Sequence, residues 1–234
     1  MLYLWQRDAV WNNETMAASA DHAPRTDFKE LFIRHGSQLV YRKGEFIIRP
    51  GEAPSGVFYI ESGLVKAYDI TKYGEENMLI IRRDEEVFPL IWAITGKERH
   101  IIYEAMVATT VRQVSRARFR THLSDHPELV NQLLDMTIEM YRIHSERILN
   151  LGYRNVRERL VSFLLTTAQR FGRKTGGGHT LLDVPLRHQD IGSAISASRE
   201  TIGREIQSLE RKGLLRAEDG YLVLCDLRAL QAYL

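Results

Sequence analysis

Residues 186–212 read LRHQDIGSAISASRETIGREIQSLERK, and their pattern decides the C-terminal fold. From Arg187 to Ile195, the residues Ile191, Ala194 and Ile195 share one face of a helix. Ser196-Ala197-Ser198 is a turn of small residues, with Ser198 placed to cap a second helix. In that helix Ile202, Ile206 and Leu209 recur at i, i+4 and i+7, a narrow apolar stripe. Arg199, Glu200, Gly203 and Arg204 are left on the outer face near its N-terminal end, where a recognition helix presents side chains to base edges. Arginine can donate two hydrogen bonds to guanine O6 and N7, and glutamate can accept from cytosine N4. Gly203 lets the backbone come close, and Thr201 is within reach of a phosphate. Residues 213–224, GLLRAEDGYLVL, continue as a hairpin turning at Asp219-Gly220. A helix-turn-helix followed by a hairpin is a winged helix. Charged residues on an ordinary helix are a solvated face; the tight turn and the wing beside these favour nucleic acid.

Upstream, a helix is expected from Val156 to Phe171, followed by the loop Gly172-Arg-Lys-Thr-Gly-Gly-Gly-His-Thr. No Gly-Lys-Ser/Thr follows those glycines, so they read as a flexible turn and not as a phosphate loop. Asp125-His-Pro-Glu reads as the start of a long helix, with Asp125 as its cap and no further break until Gly152. Its apolar positions (Leu133, Leu134, Met136, Ile138, Met140, Tyr141, Ile143, Ile148, Leu149, Leu151) cover more than one face. One stripe can lie on the rest of the chain; a second copy of the same helix is the simplest partner for the other. Burial of the whole helix within one chain is the alternative.

Before Ser115 the texture is different. Short runs of Val, Ile, Tyr and Phe are punctuated by Gly44, Gly51, Gly56, Gly63 and Gly74, as in an antiparallel barrel or sandwich. Gly63-Leu-Val-Lys-Ala-Tyr-Asp alternates as a half-buried strand should. A short helical pattern spans Asp27 to Phe32. Residues 1–26, with Trp5 and Trp11, show no sustained period and read as an extension. The expected class is therefore α+β: extension 1–26, antiparallel barrel or sandwich 27–124, long helix 125–154, and a winged helix within 155–234.

Composition narrows the function. The chain is 44% hydrophobic and 26% charged, enough to bury a core. Its longest apolar run, Val87 to Ile94, is far short of the ~20 residues of a membrane span. Arg7 and Asp8 interrupt any signal-peptide core, so a cytoplasmic protein without a membrane partner is expected. Residues 155–234 carry 12 Lys+Arg against 9 Asp+Glu, and the remainder 20 against 21. The asymmetry gives the C-terminal third a weak preference for an anionic partner. The single cysteine, Cys225, excludes a disulfide framework and reads as a small buried hydrophobe. His122 and His126 have helical i, i+4 spacing, but Pro127 puts them at a helix junction, and no metal is assigned. No catalytic elbow, zinc-protease pair or dinucleotide fingerprint is present, so the chain reads as no enzyme.

The stretch Ile191-Gly192, Ser198-Arg199-Glu200-Thr201-Ile202-Gly203-Arg204, Leu209-Glu210 and Gly213-Leu214-Leu215 resembles the helix-turn-helix signature of the Crp/Fnr transcription regulators. Gly51-Glu52, Val57-Phe58-Tyr59-Ile60, Gly63-Leu64-Val65 and Gly74 look like the turns and strands of that family's cyclic-nucleotide-binding-like β-barrel. Ser145-Glu146-Arg147 and Asn150-Leu151 look like the end of its dimer helix. The resemblance so implies a jelly-roll effector domain at 27–124, a dimerisation helix at 125–154 and a winged-helix DNA-binding domain at 155–234. The likeness covers about residues 28–225. It implies a homodimer on double-stranded DNA, with RNA polymerase as a further partner. By position Arg199, Glu200 and Arg204 match the base-reading residues of the cyclic-AMP-receptor branch, which implies a TGTGA-like inverted repeat. The oxygen-sensing branch has serine where this chain has Gly203.

The resemblance implies an effector pocket as well. Cyclic-AMP-binding members carry Gly-Glu-Leu, whose glutamate holds the ribose, and then Arg-Ser ten residues later for the phosphate. Aligned from Glu104-Ala105, this chain has Phe88-Pro89-Leu90 and Arg99-His100. Pro89 removes both the carboxylate and a backbone N–H, which argues against cyclic AMP, although Arg99 can still meet an anion. His144 and Ser145 fall where the dimer helix offers hydroxyls to adenine. An iron–sulfur cluster needs four cysteines and is excluded, and no axial pair for haem is identifiable. The candidate pocket residues are thus Pro89, Leu90, Arg99, His100, His144 and Ser145, for another small molecule or for none, and no cofactor is assigned. Arg82, Arg83 and Arg99 nearby would favour an acidic metabolite; as solvated side chains they would carry no such meaning. A rival reading is a ligand-binding regulatory subunit whose winged helix docks a protein, and salt dependence separates the two.

Overall fold

The computed structural model describes residues 28–234, so the extension at 1–26 lies outside the described residues. The elements run α1 (Phe28–His35), β1 (Ser37–Tyr41), β2 (Phe46–Ile48), β3 (Val57–Ser62), β4 (Val65–Ile70), β5 (Glu76–Arg82), β6 (Val87–Phe88), α2 (Leu90–Thr95), β7 (Ile102–Ala105), β8 (Thr109–Val114) and α3 (Arg116–Asp125). They continue with α4 (Glu128–Tyr153), α5 (Val156–Phe171), β9 (Gly172–Lys174), β10 (Thr180–Leu182), α6 (His188–Ile195), α7 (Arg199–Arg211), β11 (Leu215–Glu218), β12 (Tyr221–Leu224) and α8 (Leu227–Gln231).

Two four-stranded antiparallel sheets, β1-β8-β3-β6 and β2-β7-β4-β5, face each other as a jelly roll. Their shared interior is apolar, with Phe88 stacked on Phe58 and Tyr103 at ring distances of 5.3 and 4.7 Å. Gly63 joins β3 to β4 at φ 108°, and a side chain there would meet the Thr109 backbone. On the outer face of the first sheet, α1, α3 and the start of α4 bury Phe28, Phe32, Phe119 and Leu129.

The outer face of the second sheet is not solvated, and here the expected alternation fails. Val65, Lys66, Ala67 and Tyr68 are all buried. Val65 and Ala67 point into the barrel, whereas Tyr68 joins a core that β4, β5 and β7 share with the winged helix. Lys66, only 2% exposed, is held between Glu76 and Glu104, each 3.2 Å from its Nζ. The strand is covered because the C-terminal domain packs on it. Arg82 is likewise buried and not solvated, since its guanidinium turns inward to Glu86 and the Met140 sulfur of α4.

Two junctions also differ from expectation. Asp125 closes α3 instead of capping the long helix; α4 begins at Glu128 behind Pro127, which suits a first helical turn because that turn needs no N–H from it. His126 sits past the end of α3, so it and His122 do not share a helix face, although their rings are 4.3 Å apart. The glycine cluster is an ordered hairpin turn: Gly177 and Gly178 take positive φ between β9 and β10, which extend the wing sheet to β11-β12-β10-β9. Cys225 is half-buried, with the Arg216 guanidinium 3.6 Å from its sulfur.

A candidate DNA interface and effector pocket

The helix-turn-helix is built on close approach. Gly192 in α6 lies under the turn, and a Cβ there would be 2.4 Å from the Ala197 carbonyl oxygen. Ser196 ends α6 in the left-handed region at φ 55°, which swings the chain into α7. The Ser198 hydroxyl accepts the Thr201 N–H at 3.1 Å, capping α7 as the sequence predicts. Ile202, Ile206 and Leu209 are buried beneath, which fixes the opposite face outward. Arg199, Glu200 and Arg204 are exposed on that face.

The exposed groups are partly pre-ordered. Arg204 donates to the Thr201 hydroxyl at 3.2 Å, and that hydroxyl is 3.0 Å from Ser198 Oγ. Glu200 is held below the ordinary carboxylate range by the helix-start backbone hydrogen bond, then by Ser198, so it is an acceptor at neutral pH. Gly203 packs beside His188, and an added Cβ would make only ordinary contact at 3.4 Å. Behind α7, Arg157 of α5 is 2.6 Å from Glu205. The wing turns where the sequence places it, Asp219 and Gly220 both having positive φ as a two-residue hairpin demands.

Ser193, Arg170 and Glu86, none singled out by the sequence reading, seat this unit on the barrel, and Arg83 adds a contact. The Ser193 hydroxyl of α6 accepts the Met78 N–H of β5 at 2.8 Å. Arg170 of α5 donates to the Ile81 carbonyl at 2.9 Å and to Glu86 at 2.7 Å, and Arg83 donates to the Arg170 carbonyl. Glu86 therefore joins Arg82 of the barrel to Arg170 of the winged-helix domain. Nothing in the local pattern marks these residues, because their partners are some 84 to 115 positions away.

A cavity of about 630 Å³, its open mouth included, lies between the barrel and α4. Pro89, Leu90, Arg99 and His144 all line it, together with Arg82 and Tyr103. His100 and Ser145 do not. His100 is exposed on the segment before β7, and Ser145 is turned about 100° round the helix from His144. The pocket is cationic. Burial lowers the His144 pKa from its ordinary value, and Arg147, Arg82 and Arg99 lower it further. Among the described residues no group of three His, Cys, Asp or Glu is arranged to hold a metal. No helix there is long and apolar enough to cross a membrane.

A jelly roll, a long helix and a winged helix-turn-helix with an exposed Arg-Glu-Arg face define a DNA-binding transcription regulator with a sensor-type barrel. Comparison with known proteins agrees. Residues 38–126 match the model of the cyclic nucleotide-binding domain, and residues 158–233 that of the Crp-like helix-turn-helix domain. The global nitrogen regulator of Synechococcus elongatus is 30% identical over 177 residues, covering 75% of this chain and 79% of that protein. The cAMP-activated global transcriptional regulator CRP of Salmonella typhimurium is 26% identical over 207 residues, covering 88% and 98%. Among solved structures, FixK2 from Bradyrhizobium japonicum superposes with a TM-score of 0.73 at 25% identity, over 85% of this chain and 96% of that one. The chain belongs to the Crp/Fnr family of transcription regulators, which are not enzymes.

Proposed function

We propose that the protein is a homodimeric transcription regulator that reads a TGTGA-like inverted repeat, with an effector other than cyclic AMP or with none. The observation that carries the reading is the outward face of α7, where Arg199, Glu200 and Arg204 are exposed above a buried apolar underside. Bidentate arginine–guanine and glutamate–cytosine contacts suit those residues, with Ser198, Thr201 and Gly203 bringing the backbone to the phosphates. Dimerisation is supported by α4: Leu134, Ile138, Tyr141 and Ile148 are exposed in a seven-residue rhythm. Ser145 falls in the same stripe, so it belongs to the seam between copies. Two recognition helices so joined would meet half-sites about 34 Å apart.

For the effector, Pro89 stands where a ribose-binding carboxylate would be needed, which disfavours cyclic AMP. Arg82 and Arg99, which line the pocket with His144, favour a small anion if it is used. RNA polymerase is the expected further partner, and the cytoplasm the expected compartment.

The experiment is selection from a random DNA pool by purified protein at near-physiological salt with no ligand added. Enrichment of a TGTGA-like inverted repeat is expected, with affinity falling steeply as salt rises. Enrichment of an unrelated motif would overturn the half-site assignment. Binding without sequence preference, or none, would leave an obligatory effector as the next hypothesis to test.

A further inference from the structure

A second cavity lies where the barrel, α4 and the winged-helix domain meet. Its apolar walls include Met78 and Ile81 of β5, Ile143 of α4, Phe163 and Phe171 of α5, and Ile195 of α6. About 690 Å³ of space lies between these walls, open solvent at its mouth included. Pro89, Arg99 and His144 do not border it; strand β5 separates it from the pocket they line.

Arg147 and Arg159 also line this cavity, and among the described residues neither is ion-paired to a carboxylate. Arg159 makes no side-chain hydrogen bond or ion pair among the described residues, and its buried Nε has no partner. Arg147 donates to the neutral Asn77 amide oxygen at 2.6 Å, and its own buried Nε is also unpartnered. Burial lowers the Arg147 pKa, with only the field of Asp69 opposing. Glu146 borders the cavity too, but its carboxylate is occupied by Arg142 at 2.7 Å and the Thr166 hydroxyl at 3.4 Å. Each of these Nε–H groups is shut away from solvent without an acceptor, beside apolar walls, an arrangement that an incoming anion relieves. Guanidinium donors match a carboxylate in particular, and the aromatic and aliphatic walls match an apolar body attached to it.

We propose that this junction cavity is a binding site for a small amphipathic carboxylate, its head on Arg147 and Arg159 and its tail against Phe163, Phe171 and Ile195. Because the walls come from three parts of the chain, an occupant favours the arrangement in which the winged helix is docked on the barrel.

The test is calorimetric titration of octanoate into the full-length protein, with 1-octanol as the uncharged control. Octanoate is expected to bind once per chain, and 1-octanol about tenfold more weakly or worse. Arg159→Gln should lower octanoate affinity about tenfold, and Ala194→Met, which fills the cavity from α6, should abolish binding. Arg99→Gln, in the other pocket, should leave it unchanged. A thermal melt of each variant separates lost binding from lost fold, and the two cavity variants fail independently. Equal binding of octanol, loss in Arg99→Gln with retention in Arg159→Gln, or no saturable binding at millimolar octanoate would each overturn the proposal.

Discussion

At the scale of single residues, Arg204 and His144 carry the sharpest consequences. Arg204 is exposed and, among the described residues, tethered only by the Thr201 hydroxyl, so its removal costs the fold little. If it reads a guanine, Arg204→Ala should weaken binding to the selected repeat by ~1–3 kcal/mol per site and binding to random DNA much less. Equal losses on both DNAs, read by fluorescence anisotropy, would make Arg204 a phosphate contact. For His144 the sign follows from its environment. Burial first, and then Arg147, Arg82 and Arg99, hold its folded pKa below the ordinary 6.5. Between that depressed value and 6.5 the unfolded chain binds more protons, so stability falls as the pH drops through the window. His122 is shifted the same way by burial and by His126 and His35. The urea midpoint should therefore fall from pH 7.5 to 5.5, and His144→Gln should shrink that fall, with His122→Gln shrinking it separately. An unchanged slope in both variants would show that neither imidazole is responsible.

At the scale of elements, α4 shows both what the sequence discloses and what it withholds. Its apolar residues occupy two faces, and the structure covers only one: Met140 and Ile143 pack on the barrel, while Leu134, Ile138, Tyr141 and Ile148 stay bare. If the bare stripe is a dimer seam, Ile138→Glu should give monomers in sedimentation and lose the inverted repeat while each chain remains folded. A monomeric parent protein, or a dimer that survives the substitution, would remove α4 as the seam. The recognition helix, its cap and the wing turn were all legible, because each is specified within a dozen residues: Ser198 by its place before an amphipathic run, Asp219-Gly220 by the positive φ that a tight hairpin requires. That Pro89, Leu90, Arg99 and His144 gather around one cavity was legible only through the family likeness; His100 and Ser145 lie outside that cavity. Arg170, Ser193 and the burial of Lys66 were not legible. Each depends on a partner distant in sequence, and a lysine in an alternating strand reads as solvated until something is known to cover it.

At the scale of the whole molecule, the winged helix does not hang from α4 on a tether. Tyr68, Met78, Ile81, Ile102 and Met106 from the barrel form one continuous buried cluster with Leu164, Ile191, Ile195 and the rest of the C-terminal core. Around it, Glu86 pairs with both Arg82 and Arg170, all three side chains less than a fifth exposed. Such a contact fixes where α7 points, and if the chain dimerises on an inverted repeat, its two copies can match a set half-site spacing only with that direction fixed. It also couples the domains energetically, because separating them would expose apolar surface and leave Arg170 without its carboxylate. Scanning calorimetry of the protein should therefore show one unfolding transition. Met78→Asp, which puts a charge in the middle of the contact but faces away from the barrel interior, should cost about 3 kcal/mol or more and split the transition in two. The same variant should lose affinity for the full inverted repeat while each recognition helix keeps its affinity for one half-site, since the loss is of orientation and not of base contacts. Two transitions already present in the unaltered protein would mean that the shared cluster contributes little, and that α4 alone holds the recognition helices in register.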